Sequence, residues 1–250
     1  MKIESRTFSE LVDFPGKRIS PPVGTVETHG TTVIAIRYDK GILNLGDRRA
    51  TASNYIMYDR AEKVFSLDDD TLVAISGSFA RSVEISRYLK HAFKYYARTQ
   101  LQEMSLEGKL MEVSRALSGN LSMSLEGIGV FIPLISAYDR TDGQFGIYFY
   151  DVMGARFESG DFAAAGSGSE RIRGIFDYVS RKSGAFDKRP LKEVLAEGLN
   201  MLDIAAQLDS ATGGFERMPP IAKILTSDGI SDVDEKVLKA AIAVISKART

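Results

Sequence analysis

The sequence predicts an α+β fold in which antiparallel sheets are covered by pairs of helices. Two observations predict this class. Apolar, β-branched runs come in groups instead of alternating one by one with helices, which argues against a doubly wound parallel sheet. Between these groups the apolar period changes to about 3.6 residues, over stretches long enough for two helices at a time. The 250 residues suffice for one domain with a full core.

The first half of the chain begins with a segment unlike the rest. Residues 1–30 contain three prolines and three glycines without sustained periodicity, which predicts a leader or arm. From Thr31 onward the sequence becomes apolar and β-branched, which predicts a strand. The expected elements are strands at 31–36, 41–46, 63–67 and 71–75, followed by helices around 79–96 and 110–121.

The second half repeats this order of strands and then helices. Asp232 or Asp234 stands near the start of the last helix, where a carboxylate stabilises the N-terminus. The expected elements are strands at 129–137, 145–152 and 162–165, helices around 172–179 and 191–202, a strand at 220–225 and a helix around 237–245. The sequence shows no internal repeat, so a leader followed by one domain is the simplest organisation.

Composition excludes several kinds of chemistry. The chain has 32 Lys and Arg against 33 Asp and Glu, a formal net charge of -1, so we expect neither a nucleic-acid nor a membrane partner. It has no Cys, which excludes disulfides and thiolate nucleophiles. Its two histidines, His29 and His91, give poor support for a zinc site or a Ser-His-Asp triad. Because it has neither a long apolar run nor a secretory signal, we expect a cytoplasmic protein without metal or cofactor.

A glycine-rich motif, Gly166-Ser167-Gly168-Ser169, follows an expected strand and opens an expected helix. A helix N-terminus can bind an anion. A dinucleotide fingerprint needs glycine at its sixth position, however, and Arg171 stands there. A tight strand-to-helix turn is the stronger explanation of this motif.

The junction between the leader and the first strand offers a nucleophile. Cleavage of the bond between Gly30 and Thr31 would place a hydroxyl and a free α-amine on one residue. An α-amine titrates near ~7.7–8.0, so it can serve as a base near neutral pH. This is the N-terminal threonine form of nucleophile-plus-base catalysis, which needs neither Cys nor His. On these residues alone, a leader that simply joins a strand explains the junction equally well.

Several motifs in order and spacing resemble the proteasome core-particle β subunits. They are Gly30-Thr31-Thr32, Gly46-Asp47-Arg48-Arg49-Ala50-Thr51, Glu62-Lys63-Val64-Phe65, Ile75-Ser76-Gly77, Gly166-Ser167-Gly168-Ser169 and Asp209-Ser210-Ala211-Thr212-Gly213-Gly214. The last two are most similar to the bacterial, actinobacterial-type subunits, and the resemblance extends from Thr31 to about Asp228. It implies the N-terminal nucleophile hydrolase fold, a four-layer αββα sandwich of two antiparallel sheets between helix layers. It also implies a propeptide at 1–30, removed by autolysis, and a peptidase domain at 31–250.

The resemblance implies a role for each residue that matches the family's motifs. Thr31 matches the nucleophile, Lys63 the catalytic lysine, Asp47 its carboxylate partner, and Gly77 the residue whose N–H faces the oxyanion. Matching positions also include Ser167 near the threonine amine, Asp209 and Thr212 behind the site, and Ala50, Thr51, Ile75, Phe79 and Val83 for substrate. Many family members have Ser where this chain has Thr212. The apolar substrate positions imply cleavage after apolar or aromatic residues, although Ile75, Phe79 and Val83 are equally suited to the core.

The implied function is that of a threonine-type endopeptidase, made as a zymogen, that cuts unfolded proteins into peptides. The implied partners are a homo-heptameric β ring, α-type subunits in a four-ring barrel, and a ring ATPase regulator. One alternative is a catalytically silent, structural β-type subunit, although Thr31, Asp47 and Lys63 are all present. Another is a related two-ring N-terminal threonine hydrolase or a small-molecule amidase, against which the leader and the 209–214 motif argue.

Overall fold

Two five-stranded antiparallel sheets lie at the centre of the protein, whose computed structural model describes residues 30–52, 55–215 and 217–248. In chain order the strands are β1 (Thr32–Tyr38), β2 (Gly41–Gly46), β3 (Ala50–Ala52), β4 (Tyr55–Tyr58), β5 (Val64–Ser66), β6 (Thr71–Ala74), β7 (Leu134–Asp139), β8 (Gln144–Tyr150), β9 (Arg156–Ser159), β10 (Phe162–Gly166), β11 (Ile221–Thr226) and β12 (Gly229–Asp232). The first sheet has the order β10-β1-β2-β11-β12 and the second β5-β6-β7-β8-β9, while β3 and β4 form a separate hairpin.

Helices follow each group of strands, as the sequence predicts. They are α1 (Phe79–Gln100), α2 (Leu106–Gly119), α3 (Leu121–Leu125), α4 (Ser169–Ser183), α5 (Leu191–Leu208) and α6 (Glu235–Ala248), with a short 3-10 turn at Phe186–Lys188. Asp234 caps the last helix, because its Oδ1 accepts hydrogen bonds from the backbone N–H groups of Lys236 and Val237. No helix in the described ranges is long and apolar enough to cross a membrane.

The first sheet is buried on both faces, which explains why its strands read as nearly continuous apolar runs. Along β1, Ile34 and Ile36 pack against α4, α5 and α6. Val33 and Ala35 alternate with them and point to the opposite face, toward the second sheet.

The second sheet repeats this arrangement. Val73 and Ile75 pack on one face against α1 and α2, whereas Leu72 and Ala74 contact the first sheet. The layer order is therefore helices, sheet, sheet, helices. This is the four-layer αββα sandwich of two antiparallel sheets that we predicted, and the prediction of the fold class is confirmed.

The strand predicted at 129–137 is wrong in its first half, because β7 begins only at Leu134. The preceding Pro133 has no N–H to contribute to a sheet ladder. Upstream, Asn120 donates its side-chain amide to the Gly129 carbonyl at 2.6 Å, which fixes the backbone in a turn. Four short strands, β3, β4, β9 and β12, were not predicted from the sequence.

Candidate active site

The hydroxyl of Thr31 lies against the peptide bond that joins it to the leader. Thr31 Oγ1 donates a hydrogen bond to the Gly30 carbonyl oxygen at 2.8 Å. The Gly30 N–H in turn donates to Thr51 Oγ1 at 3.1 Å, and both Thr31 and Thr51 are buried. The structure therefore brings together Gly30, Thr31 and Thr51, with the hydroxyl beside the carbonyl group it would attack.

The space around position 30 admits no side chain larger than that of glycine. A Cβ atom at Gly30 would lie 1.7 Å from Ala211 Cβ and 2.7 Å from Ala211 Cα, and real Cβ atoms do not make such contacts. Ala211 belongs to the loop between α5 and β11. This loop therefore packs directly against the Gly30–Thr31 peptide.

The carboxylate of Asp47, directly after β2, accepts hydrogen bonds from four other residues of the site. It is 1% exposed, and its Oδ1 accepts hydrogen bonds from the Thr32 N–H and from Lys63 Nζ, both at 2.8 Å. Its Oδ2 accepts from the N–H groups of Arg49 at 2.9 Å and Gly213 at 2.8 Å. Four donors from four chain segments therefore hold this carboxylate in one orientation.

Lys63 is fully buried in the same site, immediately before β5. Its ammonium lies 2.8 Å from Asp47 Oδ1 and 2.5 Å from the Arg49 carbonyl oxygen, so two of its three N–H groups are used. Burial lowers the pKa of Lys63 below that of a solvated lysine, and the attraction of Asp47 offsets this only in part. The neutral amine form of Lys63 is therefore populated at lower pH than in an ordinary lysine, which suits a group that accepts protons near neutral pH.

A chain of hydroxyl groups connects the start of β1 with Asp209. Ser167 Oγ and Thr212 Oγ1 both donate to Asp209 Oδ2, at 2.5 and 2.6 Å. Because the carboxylate accepts these protons, Thr32 Oγ1 must donate to Thr212 Oγ1 across their 2.6 Å contact. Thr32 Oγ1 also accepts from the Gly168 N–H at 3.2 Å. The chain brings Ser167, Asp209 and Thr212 together, and it includes Thr32, which the sequence analysis missed.

Gly77 lies two residues before α1, in a backbone conformation that favours glycine. Its φ of +97° falls in the left-handed region, and a Cβ would lie 2.2 Å from the Val130 carbonyl oxygen. Gly77 pairs with Phe131 through the hydrogen bonds of its neighbours, so its own N–H points away from that pairing. The N-terminal dipole of α1 adds positive potential there. Within the described residues no hydrogen bond joins Gly77 to Thr31.

The predicted substrate-binding residues divide into two groups. Ala50 and Thr51 lie in β3, beside Gly30. Ile75 is buried between the second sheet and α1, and Phe79 and Val83 are partly buried against the same cluster. These three side chains therefore contribute to the core.

Arg49 is a second residue whose role the sequence analysis did not predict. Its guanidinium donates to the carbonyl oxygens of Ser210 at 3.0 Å and Thr212 at 3.3 Å, and it contacts Asp59 Oδ1 at 3.3 Å. Its backbone N–H and carbonyl meanwhile bind Asp47 and Lys63. Arg49 therefore links the Asp47–Lys63 pair to the loop that contains Ser210 and Thr212. The one sequence signal for this role was the Arg-Arg pair in its motif.

A cavity of about 860 Å³ borders the candidate site at two of the predicted residues. Gly77 and Ser167 contribute to its lining, together with all of β10 and residues of α4. Of the predicted site residues, these two are the ones that reach it. The described part of the chain contains no cluster of His, Asp and Glu side chains that suits a metal ion. His91 is exposed on α1, and His29 lies outside the described residues.

Comparison with known proteins shows similarity along most of the chain. Residues 27–215 match the family described as Proteasome subunit. The proteasome subunit beta 2 of Thermomonospora curvata is 33% identical over 242 residues, covering 94% of this chain and 83% of the relative. The proteasome subunit beta of Streptomyces griseus is 34% identical over 220 residues, 86% of this chain and 76% of the relative. That of Acidothermus cellulolyticus is 34% identical over 228 residues, 88% of this chain and 77% of the relative.

Proposed function

Because this chain belongs to the proteasome subunit family and resembles its actinobacterial β subunits, we propose that it is a catalytically active threonine endopeptidase. The observation that carries the proposal is the contact between the Thr31 hydroxyl and the Gly30 carbonyl, next to a buried Lys63–Asp47 pair. A buried ion pair often stabilises a fold no better than well-packed apolar side chains do. A silent subunit would therefore gain little from the buried Lys63–Asp47 pair.

In the first proposed step, the chain removes its own leader. Thr31 Oγ attacks the Gly30 carbonyl carbon and transfers its proton, with Lys63 and local water as the bases at hand. The C–N bond then breaks, so the leader becomes an ester on Oγ and the Thr31 nitrogen becomes a free amine. Water hydrolyses the ester, which releases residues 1–30 with a carboxylate at Gly30. The mature domain then begins at Thr31.

In the mature enzyme, Thr31 Oγ attacks a substrate carbonyl in the same way. The Gly77 N–H stabilises the oxyanion, and a donor of this kind contributes about 3 kcal/mol to the transition state. The proton from Oγ reaches the leaving amine through the α-amine of Thr31. Water then cleaves the acyl-enzyme. The chain from Thr32 through Thr212 and Asp209 to Ser167 holds in place the residue that follows Thr31.

The proposal includes assembly with other subunits. In this account seven copies form a ring, two such rings stack between rings of α-type subunits, and a ring ATPase supplies unfolded cytoplasmic proteins. Exposed apolar side chains support an assembly of some kind, because Tyr55, Met57 and Tyr58 of β4 are each more than half exposed. Burial of these side chains against a neighbour would remove that apolar surface from water.

A peptidase assay with matched variants tests the activity. We expect assembled particles to cleave fluorogenic peptides that carry an apolar or aromatic residue before the cut, in preference to Arg or Asp. Thr31→Ala abolishes this cleavage, whereas Thr99→Ala, an exposed threonine on α1, serves as the control and leaves it unchanged. Assembled wild-type particles without Thr31-dependent cleavage would instead favour the silent structural subunit. Copurification of an α-type partner would separate both from a two-ring hydrolase.

A further inference from the structure

The outer edge of β10 borders the cavity beside the candidate active site. Within the described residues, β1 is the one strand paired with β10, so the opposite edge of β10 carries no strand. All five residues of β10 line the cavity of about 860 Å³, which extends from there to Gly77 and Ser167. An edge with unpaired backbone groups is a template for an added strand.

The register identifies which backbone groups of β10 face the cavity. The Arg37 N–H donates to the Asp161 carbonyl at 2.9 Å, so these opposite residues form a hydrogen-bonded pair. In an antiparallel ladder such pairs alternate with pairs whose backbone groups point outward. Ala163 and Ala165 therefore bond to β1, whereas Ala164 between them points its N–H and C=O groups away from β1, on the edge of β10 that borders the cavity.

Two side-chain contacts agree with this direction. Ser159 Oγ donates to the Phe162 carbonyl, and Ser169 Oγ donates to the Gly166 carbonyl at 2.7 Å. Between them lies Ala164, which forms a non-hydrogen-bonded pair with Ile34, so its N–H and C=O make no bond to β1. Its methyl side chain leaves the edge uncrowded. One residue with an outward N–H and C=O can make two hydrogen bonds to a single residue of an added strand.

The free edge of β10 is the surface that remains for the leaving-side residues of a substrate. In the precursor, the residues after the scissile bond are Thr31 and β1, and both edges of β1 are occupied by β2 and β10. The leaving side of a separate substrate cannot follow that path. On the acyl side, the Gly30 N–H bonds to Thr51, which directs that part of the substrate toward β3. The cavity beside Gly77 and Ser167 remains for the leaving side.

We propose that the leaving-side residues of a polypeptide substrate add to the free edge of β10 as an antiparallel strand, with Ala164 as the pairing residue. The proposal rests on the peptidase function proposed above. β10 runs toward Ser167, and a leaving peptide runs away from it, so the two are antiparallel. Ala164 lies opposite Ile34, three residues beyond Thr31, or roughly 10 Å at about 3.3 Å per residue. The third leaving-side residue therefore reaches Ala164. Backbone pairing of this kind suits substrates of any sequence.

Substrate length and backbone methylation test this pairing on the unaltered, assembled enzyme. The substrates are quenched fluorescent peptides with one acyl sequence and one to five leaving-side residues. We expect kcat/KM to rise by roughly three- to tenfold once the third residue is present, the effect of one or two backbone hydrogen bonds. N-methylation of the amide that pairs with Ala164 should reverse the gain, and N-methylation of its neighbours should not. A kcat/KM that is independent of length, or equal for all methylated positions, would overturn the proposal.

A pair of variants tests the same edge from the enzyme side. Ala164→Pro removes the outward N–H without removing a bond to β1, and edge strands accept proline at such positions. We expect it to lower the ratio of kcat/KM for the five-residue peptide to that for the one-residue peptide by roughly three- to tenfold. Ala164→Ser retains the N–H and should keep the ratio. An unchanged ratio in Ala164→Pro would refute the pairing, and if that variant does not fold, the methylation series decides. Failure of the proposed function is distinguishable, because the shortest peptide would then show no Thr31-dependent cleavage.

Discussion

Replacement of Gly30 by alanine should slow removal of the leader for a steric reason that the structure measures directly. The new Cβ would lie 1.7 Å from Ala211 Cβ, 2.7 Å from Ala211 Cα and 2.9 Å from the Ala211 carbonyl oxygen. To relieve these contacts, either the 209–214 loop or the Gly30 carbonyl must move. The carbonyl is held 2.8 Å from Thr31 Oγ1, so its movement spoils the alignment for attack.

The size of the effect follows from the cost of overpacking. Adding a methyl group to a filled site costs about 1–3 kcal/mol. If this cost falls on the attack geometry, autolysis slows by roughly five- to 150-fold, at about 1.36 kcal/mol for each factor of ten. Ala211→Gly removes the nearest colliding atom and should restore part of the rate when combined with Gly30→Ala. The assay is a mass-spectrometric time course of precursor loss in assembling particles. Processing of Gly30→Ala at the wild-type rate would show that the contact with Ala211 does not control the attack geometry.

Three further predictions concern the buried groups of the site. Lys63→Met should abolish leader removal and peptide cleavage, measured by intact mass and a fluorogenic peptide, whereas substitution of the exposed Lys94 of α1 by Met should not; cleavage by Lys63→Met would exclude Lys63 from the chemistry. Burial lowers the pKa of Lys63, so the unfolded chain binds more protons than the folded chain between that lowered pKa and about 10.4. The free energy of unfolding should therefore rise with pH in this window, by up to about 1.4 kcal/mol per pH unit relative to Lys63→Met; urea titrations at several pH values measure the difference, and parallel pH profiles would contradict it. Gly168→Ala places a Cβ 2.3 Å from Thr32 Oγ1 and 2.9 Å from Thr212 Oγ1, so it should break the hydroxyl chain and reduce kcat; an unchanged kcat would show that the chain is dispensable.

The sequence predicts most of the fold because burial governs it. In β1 and β2 nearly every residue is buried, so their apolar runs are visible without a structure. The strands β3 and β4 escape prediction because they have three and four residues, and every residue of β4 is exposed. The start of β7 is misplaced because an apolar run continues through Pro133, although proline cannot contribute an N–H to the ladder.

The candidate site is predicted only as far as its motifs extend. The residues at 47 and 63 stand in recognisable motifs, and the structure brings their side chains within 2.8 Å. Thr32 and Arg49 stand inside the motifs beside residues with an assigned role, but they act through the 209–214 loop, more than 150 residues away in sequence. Local sequence does not show which distant loop these two residues contact. The free edge of β10 is likewise invisible, because it depends on which strand lies last in the sheet.

The mass of the intact chain decides whether Thr31 is a nucleophile exposed by self-cleavage, as we propose. The purified chain is incubated with α-type proteasome subunits, the proposed partner, until particles assemble, and its mass is then measured beside that of Thr31→Ala. We predict that the wild-type chain loses a fragment that ends at Gly30, while Thr31→Ala keeps its full mass. A wild-type chain that assembles and retains its full mass would contradict the account.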